Sequence, residues 1–462
     1  MSQALDFTLA HTDVTRQLAA YASGLVLDRI SEKARTVGKH ALLDWLGVTL
    51  AGGQEPLVGI LRDQAQADGF GAQSTLLGLG TKGTPSQAAL INGTAGHALD
   101  YDDVHPSVGG HPSVPVAPVA LALAERDGMS GADLLTAFIA GVETEARVGT
   151  LIGDARDNGW HQTSTVGVFG GAAAAASLLG LNAETTTHAF GIAGTQAGGV
   201  MASFGTMCKP LHAGMAAEAG LRAAVWAACG FTGATDIIEH PRGFAATHGI
   251  AFNADEALKG MDETFFTETI LFKHHAACYG THSAIECAQL IRDNPAFDLE
   301  KVEKVEIRVH KRITKMCDIP APTDGLGIKF SLRMTMALAL SGEPTSALHV
   351  YSEKFAARPD LVALRDKVTS VIDDSYGYRG AAVTVHLSDG TAIHENFNVA
   401  VPEEDLSVQE RKLVDKFQSL AIPLIGEKNA VSAASILLNL ENQTNLSVLN
   451  NAIFGRPNSK SG

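Results

Sequence analysis

Val305-Glu306-Ile307-Arg308-Val309-His310 alternates apolar and polar residues with a period of two, the mark of a strand with one buried face. Upstream the texture is different. Ser31 to Leu50 places Ala34, Val37, Ala41, Trp45 and Val48 on one helical face, and Gly52-Gly53 closes it. Pro85 to Leu99, Ala132 to Gly149, Gly170 to Leu179 and Ala213 to Cys229 repeat the helical pattern with faces rich in alanine. Downstream of the alternating run, Ala382 to Leu387 and Thr391 to Val399 flank Ser388-Asp389-Gly390, a hairpin signal. Between the run and this hairpin, Ser331 to Leu340 and Asp360 to Asp373 read as helices, and the tail from Glu403 is helical again. The expected fold is mainly α with an inserted α+β domain. A helical domain spans 1–270 and is completed by 403–462, and an α+β lid domain spans 271–402.

Composition narrows the function. The 462 residues carry a formal net charge of -15, which repels phosphate backbones and anionic lipid heads, so neither nucleic acid nor membrane is expected as a partner. An anionic substrate would need a local cluster of Lys, Arg and His. Met1 to Phe7 lacks the basic and apolar regions of a signal peptide, and no run approaches the roughly 18 apolar residues of a membrane span. Five cysteines with no Cys-x-x-Cys pair speak against a disulfide framework and a structural zinc site, and a cytoplasmic location is expected.

Four segments concentrate polar chemistry. Three aspartates and three histidines (His97, Asp100, Asp102, Asp103, His105, His111) fall within fifteen residues, on a helix end that runs into a Gly- and Pro-rich loop. Gly159 to Ser164 contains His161. Gly205 to Gly214 contains Lys209 just before Pro210, at a helix start where a cation is disfavoured unless an anion faces it. Phe272 to His282 holds Lys273, His274, His275, Cys278, Tyr279 and His282, and a helix there would put His275 and Tyr279 on one face. A metal reading through His105 and His111 lacks a His-Glu-x-x-His pattern, so no metal is expected. Gly78-Leu79-Gly80-Thr81-Lys82-Gly83 matches the dinucleotide fingerprint formally, but it has no βαβ context and reads as a surface turn. No cofactor is expected.

Taken in order, His97-Ala-Leu-Asp100-Tyr-Asp-Asp103, Gly110-His111-Pro112-Ser113, Lys209-Pro-Leu-His212-Ala-Gly214 and Lys273-His-His-Ala-Ala-Cys278 resemble the MmgE/PrpD family over nearly the whole chain. Members include dehydratases of 2-methylcitrate, decarboxylases of cis-aconitate and epimerases of iminodisuccinate. The resemblance implies a homodimer, a helical domain built from both chain ends, and active-site positions at Asp100, His111, His161, Lys209 and Lys273. Two positions depart from the decarboxylases, which carry a threonine where this chain has Val104 and a histidine where it has Cys278. These departures turn the expectation towards an epimerase of a substituted succinate, with dehydration or decarboxylation as alternatives and a non-catalytic carboxylate-binding protein as a further one.

The chemistry expected is proton transfer at the carbon α to a carboxylate of a small di- or tricarboxylate. Lys209 and Lys273 would hold carboxylates and stabilise enediolate charge. His111 and His161 are the candidate acid and base, with Asp100 orienting one of them. Cys278 or Tyr279 would serve the opposite face, and Asp103, His275 and Tyr279 would contact the substrate.

Overall fold

The computed structural model describes residues 13–454, residue 262 excepted, and the Met1 to Phe7 stretch lies outside them. The chain divides into two compact units. One runs to Phe272 and resumes at Leu406, and the other is Lys273–Asp405.

The first unit is helical. Its principal helices are α1 (Glu32–Gly52), α2 (Pro85–Ala98), α3 (Ser113–Asp127), α4 (Gly131–Ile152), α5 (Gly167–Leu178) and α6 (Cys208–Ala228). Local chemistry fixes their starts. The Ser31 side chain accepts from the Ala34 amide, and Thr84 with Gln87 and Ser130 with Asp133 form capping boxes. The Gly78 to Gly83 segment is the turn and second strand of a small antiparallel hairpin, β1 (Ser74–Leu76) with β2 (Thr81–Gly83).

Small residues let these helices touch backbone to backbone. A Cβ added at Gly93 of α2 would lie 2.8 Å from the Cα of Gly214 on α6, and one at Gly214 would press on the Leu90 carbonyl oxygen. This crossing brings the first turn of α6 to the residues that follow α2. The Ala- and Gly-rich faces seen in the sequence therefore set the distance between Lys209 and Asp100.

The second unit is α+β. One four-stranded sheet has the order β4-β3-β5-β6, built from β3 (Val302–Val309), β4 (Val368–Ile372), β5 (Gly380–Leu387) and β6 (Ala392–Asn398). β3 pairs parallel with β4 and antiparallel with β5, and β5 and β6 form the hairpin around Asp389-Gly390. On β3, Val305, Ile307 and Val309 are buried while Glu306 and Arg308 are half-buried. α7 (Tyr279–Arg292) packs on β5, β6 and α8 (Leu332–Leu340).

One element differs from the sequence reading. The expected helix from Asp360 to Asp373 ends early: α9 covers only Pro359–Arg365, and the remainder is the edge strand β4. Leu361, Leu364, Val368 and Val371 keep helical spacing, but Val368-Thr369-Ser370-Val371-Ile372, four of whose five residues are β-branched, pairs with β3 instead.

The chain then returns to the first unit through α10 (Leu406–Ile425) and α11 (Glu427–Leu438). α10 packs on α1. Among the described residues, no helix is long and apolar enough to cross a membrane.

Candidate active site

The site is built where α2 ends. Leu99 closes the helix, and Asp100 takes a left-handed conformation (φ 50°), the one described non-glycine residue that does so. Aspartate tolerates this geometry better than most residues, at a cost of about 1 kcal/mol. The reversal folds the next residues back under the helix end, so that Asp102 meets His97. His97 Nδ1 lies 2.9 and 3.1 Å from the two Asp102 oxygens, and His111 Nδ1 lies 3.0 Å from Asp102 Oδ2. One buried aspartate thus holds two imidazoles by their Nδ1 atoms. Burial opposes ionisation of its carboxyl, yet the two imidazoles beside it, His111 and His97, hold it well below the usual carboxylate range. An ionised Asp102 accepts at Nδ1 of both rings, which fixes the tautomer in which each imidazole carries its lone pair on Nε2.

His111 turns its Nε2 towards Asp100, 3.8 Å away, and Asp100 Oδ1 is 2.7 Å from Lys209 Nζ. Lys209 sits in the first turn of α6, where the helix dipole disfavours it. Asp100 is the anion that offsets that cost within the protein itself.

His161 completes the group. It precedes the short helix Gln162–Thr165, and its ring stacks on His97 at 5.6 Å and meets Phe204 edge-on at 4.9 Å. Its Nδ1 lies 3.2 Å from Nδ1 of His212, so one of these nitrogens donates and the other accepts. Burial, followed by the nearby charges of His97 and Lys209, pushes the His161 pKa far below its ordinary value. Burial also brings His97 down to about 4 and lowers His212. In all three rings burial favours the neutral imidazole over the protonated one.

The structure therefore gathers Asp100, His111, His161 and Lys209, and adds His97, Asp102 and His212. Asp100 was expected to orient a histidine, whereas Asp102 makes those contacts and Asp100 pairs with Lys209. His97, Asp102 and His212 stand inside the quoted motifs, but their part depends on a left-handed residue and a helix crossing that spacing does not reveal. Asp103, expected to contact substrate, is buried and accepts from the Ser113 amide (3.2 Å) and hydroxyl (2.5 Å), where it caps α3. His105 bonds the Phe266 carbonyl and Thr269 and does not join His111 in a metal set.

In the second unit, Lys273 is its first residue and is buried. Residues 274–277 are not helical, so His275 and Tyr279 do not share a helix face. His275 bonds Thr345 at 2.8 Å and Glu286 at 3.2 Å, one through each ring nitrogen. The Tyr279 hydroxyl donates to the Val399 carbonyl at 2.7 Å, and burial pushes its pKa up to about 12. Both residues are thus hydrogen-bonded within their own unit. Cys278 precedes α7 with its Sγ 3.2 Å from Cys317 Sγ.

Two buried carboxyls, Asp103 of the loop and Glu145 of α4, shift the other way from Asp102. Burial raises both Asp103 and Glu145 well above the usual range, and Glu145 has neither oxygen hydrogen-bonded. A carboxyl whose folded pKa is raised loses stability as pH climbs from its unfolded value near 4.5 towards the folded value, because the unfolded chain releases the proton first. Glu145→Gln is expected to remove that loss. Its melting temperature should match the parent near pH 4 and exceed it by about 2 °C at pH 8. Equal melting curves at both pH values would contradict a neutral Glu145.

His97, Asp100, Asp102 and His111 also offer donor atoms within 4.8 Å of one another, a set able to hold a divalent ion. A lysine ammonium already lies 2.7 Å from one of those donors, which disfavours a second cation. Turnover is accordingly expected to survive prolonged chelation unchanged. Loss on chelation with recovery on adding one divalent metal would overturn this.

Comparison with known proteins agrees with the arrangement of the chain. Residues 16–256 match the MmgE/PrpD N-terminal domain and residues 275–442 match the MmgE/PrpD C-terminal domain. The chain is 27% identical to cis-aconitate decarboxylase of Homo sapiens over 461 residues, covering 96% of this chain and 95% of that protein. It is likewise 27% identical to cis-aconitate decarboxylase of Aspergillus terreus over 475 residues, covering 95% and 96%. With both domain models matched in order, and together spanning most of its length, the chain belongs to the MmgE/PrpD family.

Proposed function

We propose that this chain catalyses proton transfer at the carbon α to a carboxylate of a small di- or tricarboxylate without a cofactor, with loss of CO2 from a cis-aconitate-like substrate as the overall reaction. The observation that carries the reading is the pairing of an aspartate-oriented histidine with a lysine: Asp102 fixes His111, whose Nε2 faces the Asp100–Lys209 pair. Lys209 supplies positive charge for a substrate carboxylate and for the enediolate that develops on it. In the decarboxylation, the bond from carbon to one carboxylate breaks and CO2 leaves. The electron pair passes into the conjugated carboxylate, and a histidine that has taken up a proton from solvent delivers it to the carbon α to that carboxylate, so that one solvent proton is consumed for each CO2 released.

The relatives' names favour this lyase over the epimerase expected from the sequence. Epimerisation stays as the second reading because Val104 and Cys278 replace the threonine and histidine of the decarboxylases. For Lys273 and Cys278, a place in the reaction rests on the family resemblance alone. Supplying cis-aconitate, 2-methylcitrate and iminodisuccinate separately decides between exits. The proposal expects CO2 from the first. Racemisation of the third without CO2 from the first would favour the epimerase, and inertness towards all three would remove the proposal.

The reading includes a homodimer, supported by the exposed apolar side chains of Val200, Phe204, Met207 and Met215 on one stretch of chain. Light scattering should give twice the 48.3 kDa chain mass, and a monomer mass would contradict it.

A further inference from the structure

Lys416 lies on α10, more than 300 residues from the catalytic loop in sequence. Its side chain is almost completely buried (1% exposed). The ammonium pairs with Asp44 of α1 at 2.5 Å, donates to the Tyr101 carbonyl oxygen at 2.7 Å, and stands 3.8 Å from the centre of the Tyr101 ring. Tyr101 is the residue between Asp100 and Asp102. Its carbonyl follows the left-handed Asp100 directly and precedes the aspartate that holds both His97 and His111. A buried ammonium is costly unless paired and hydrogen-bonded, and here both partners are present.

We infer that Lys416 is a positioning residue, which fixes the Tyr101 carbonyl and through it aims Asp100 at Lys209 and Asp102 at the two histidines. The inference rests on the reading of this loop as the active site. The physical argument is one of leverage. The loop reverses at a strained residue, its neighbours carry the contacts of the site, and the cation–carbonyl bond is made between them. Without it, Asp100 can relax out of its left-handed conformation, and a shift of about 1 Å in a catalytic group costs on the order of 100-fold in rate. The ring contact adds a second hold on the same residue. It also gives the returning C-terminal segment a chemical purpose beyond covering α1.

Three variants test this. Lys416→Met removes the ammonium that faces the buried Asp44 carboxylate. Asp44→Leu combined with Lys416→Met removes both charges, which is often neutral for folding. Lys416→Arg keeps a donor for both partners. The expectation for the double variant is a kcat lowered about 10- to 100-fold with KM within about threefold of the parent, while Lys416→Arg recovers most of the rate. Backbone amide exchange over residues 99–105 should rise about tenfold in the double variant and stay at the parental rate elsewhere in the unit. The exchange arm needs no turnover. If the parent converts none of the carboxylates, the reading of the site fails, yet exchange still judges the role of Lys416. Parental kcat and parental exchange in the double variant would overturn the inference. So would failure of both Met-containing proteins to fold, since Lys416 would then be a residue of the core alone.

Discussion

His111→Gln is expected to lower kcat by about 1,000-fold while leaving the protein folded. The size follows from the role proposed for the ring. A positioned general acid or base contributes roughly 100- to 10,000-fold, and glutamine has no titratable group to replace it. The fold should survive because the Gln amide can still donate to Asp102, so no buried carboxylate is stranded. His111 is also only partly buried, with 11% of its side chain exposed, so no cavity of consequence forms. The check is steady-state kinetics beside a melting curve. More than a tenth of parental kcat in a fully folded variant would assign the proton transfer elsewhere, first to His97 or His161.

Lys209→Ala should cost about 100- to 1,000-fold in kcat/KM, with both kcat and KM affected. The lysine is asked to bind a carboxylate in the ground state and to offset additional charge in the transition state. Its loss leaves the Asp100 carboxylate facing the same space without the ammonium, and its negative charge repels the substrate. Asp100 is 44% exposed, so water can solvate it and folding should not suffer. A change confined to KM would reduce Lys209 to a binding group. Partial rescue by a small alkylammonium salt, with none in the parent, would support the ammonium as the missing element.

Much of the architecture was legible because each unit has its own period. The alanine faces of α1 and α4 repeat at three and four residues, and β3, β5 and the Asp389-Gly390 turn announce the sheet. β4 was illegible because Leu361, Leu364, Val368 and Val371 continue a helical spacing past the end of α9. Pairing with β3, a contact some sixty residues distant in sequence, decided it.

The site was legible in its residues but not in their pairing. Asp100, His111, His161 and Lys209 stand together as their motifs suggested. Which aspartate served which partner could not be read, since the chain reversal at Asp100 exchanges the roles that linear order would give to Asp100 and Asp102. Asp103, His275 and Tyr279 carry the right chemistry for a substrate contact, and spacing did not reveal the nearby backbone and side-chain groups to which each is bonded. Lys416 carried no signal at all. A single lysine in an amphipathic helix looks like any solvated charge until its partners on α1 and after α2 are known.

The central claim is that the Asp102-oriented histidines and Lys209 move a proton at a carbon beside a carboxylate. The most direct measurement is to incubate the parent protein with cis-aconitate in deuterated water and follow the substrate and product carbons by NMR. The account predicts one deuterium on the carbon α to a retained carboxylate, formed at the rate of turnover and lost in His111→Gln. Product that forms without solvent deuterium at that carbon, or deuterium that still enters at the parental rate in His111→Gln, would contradict it.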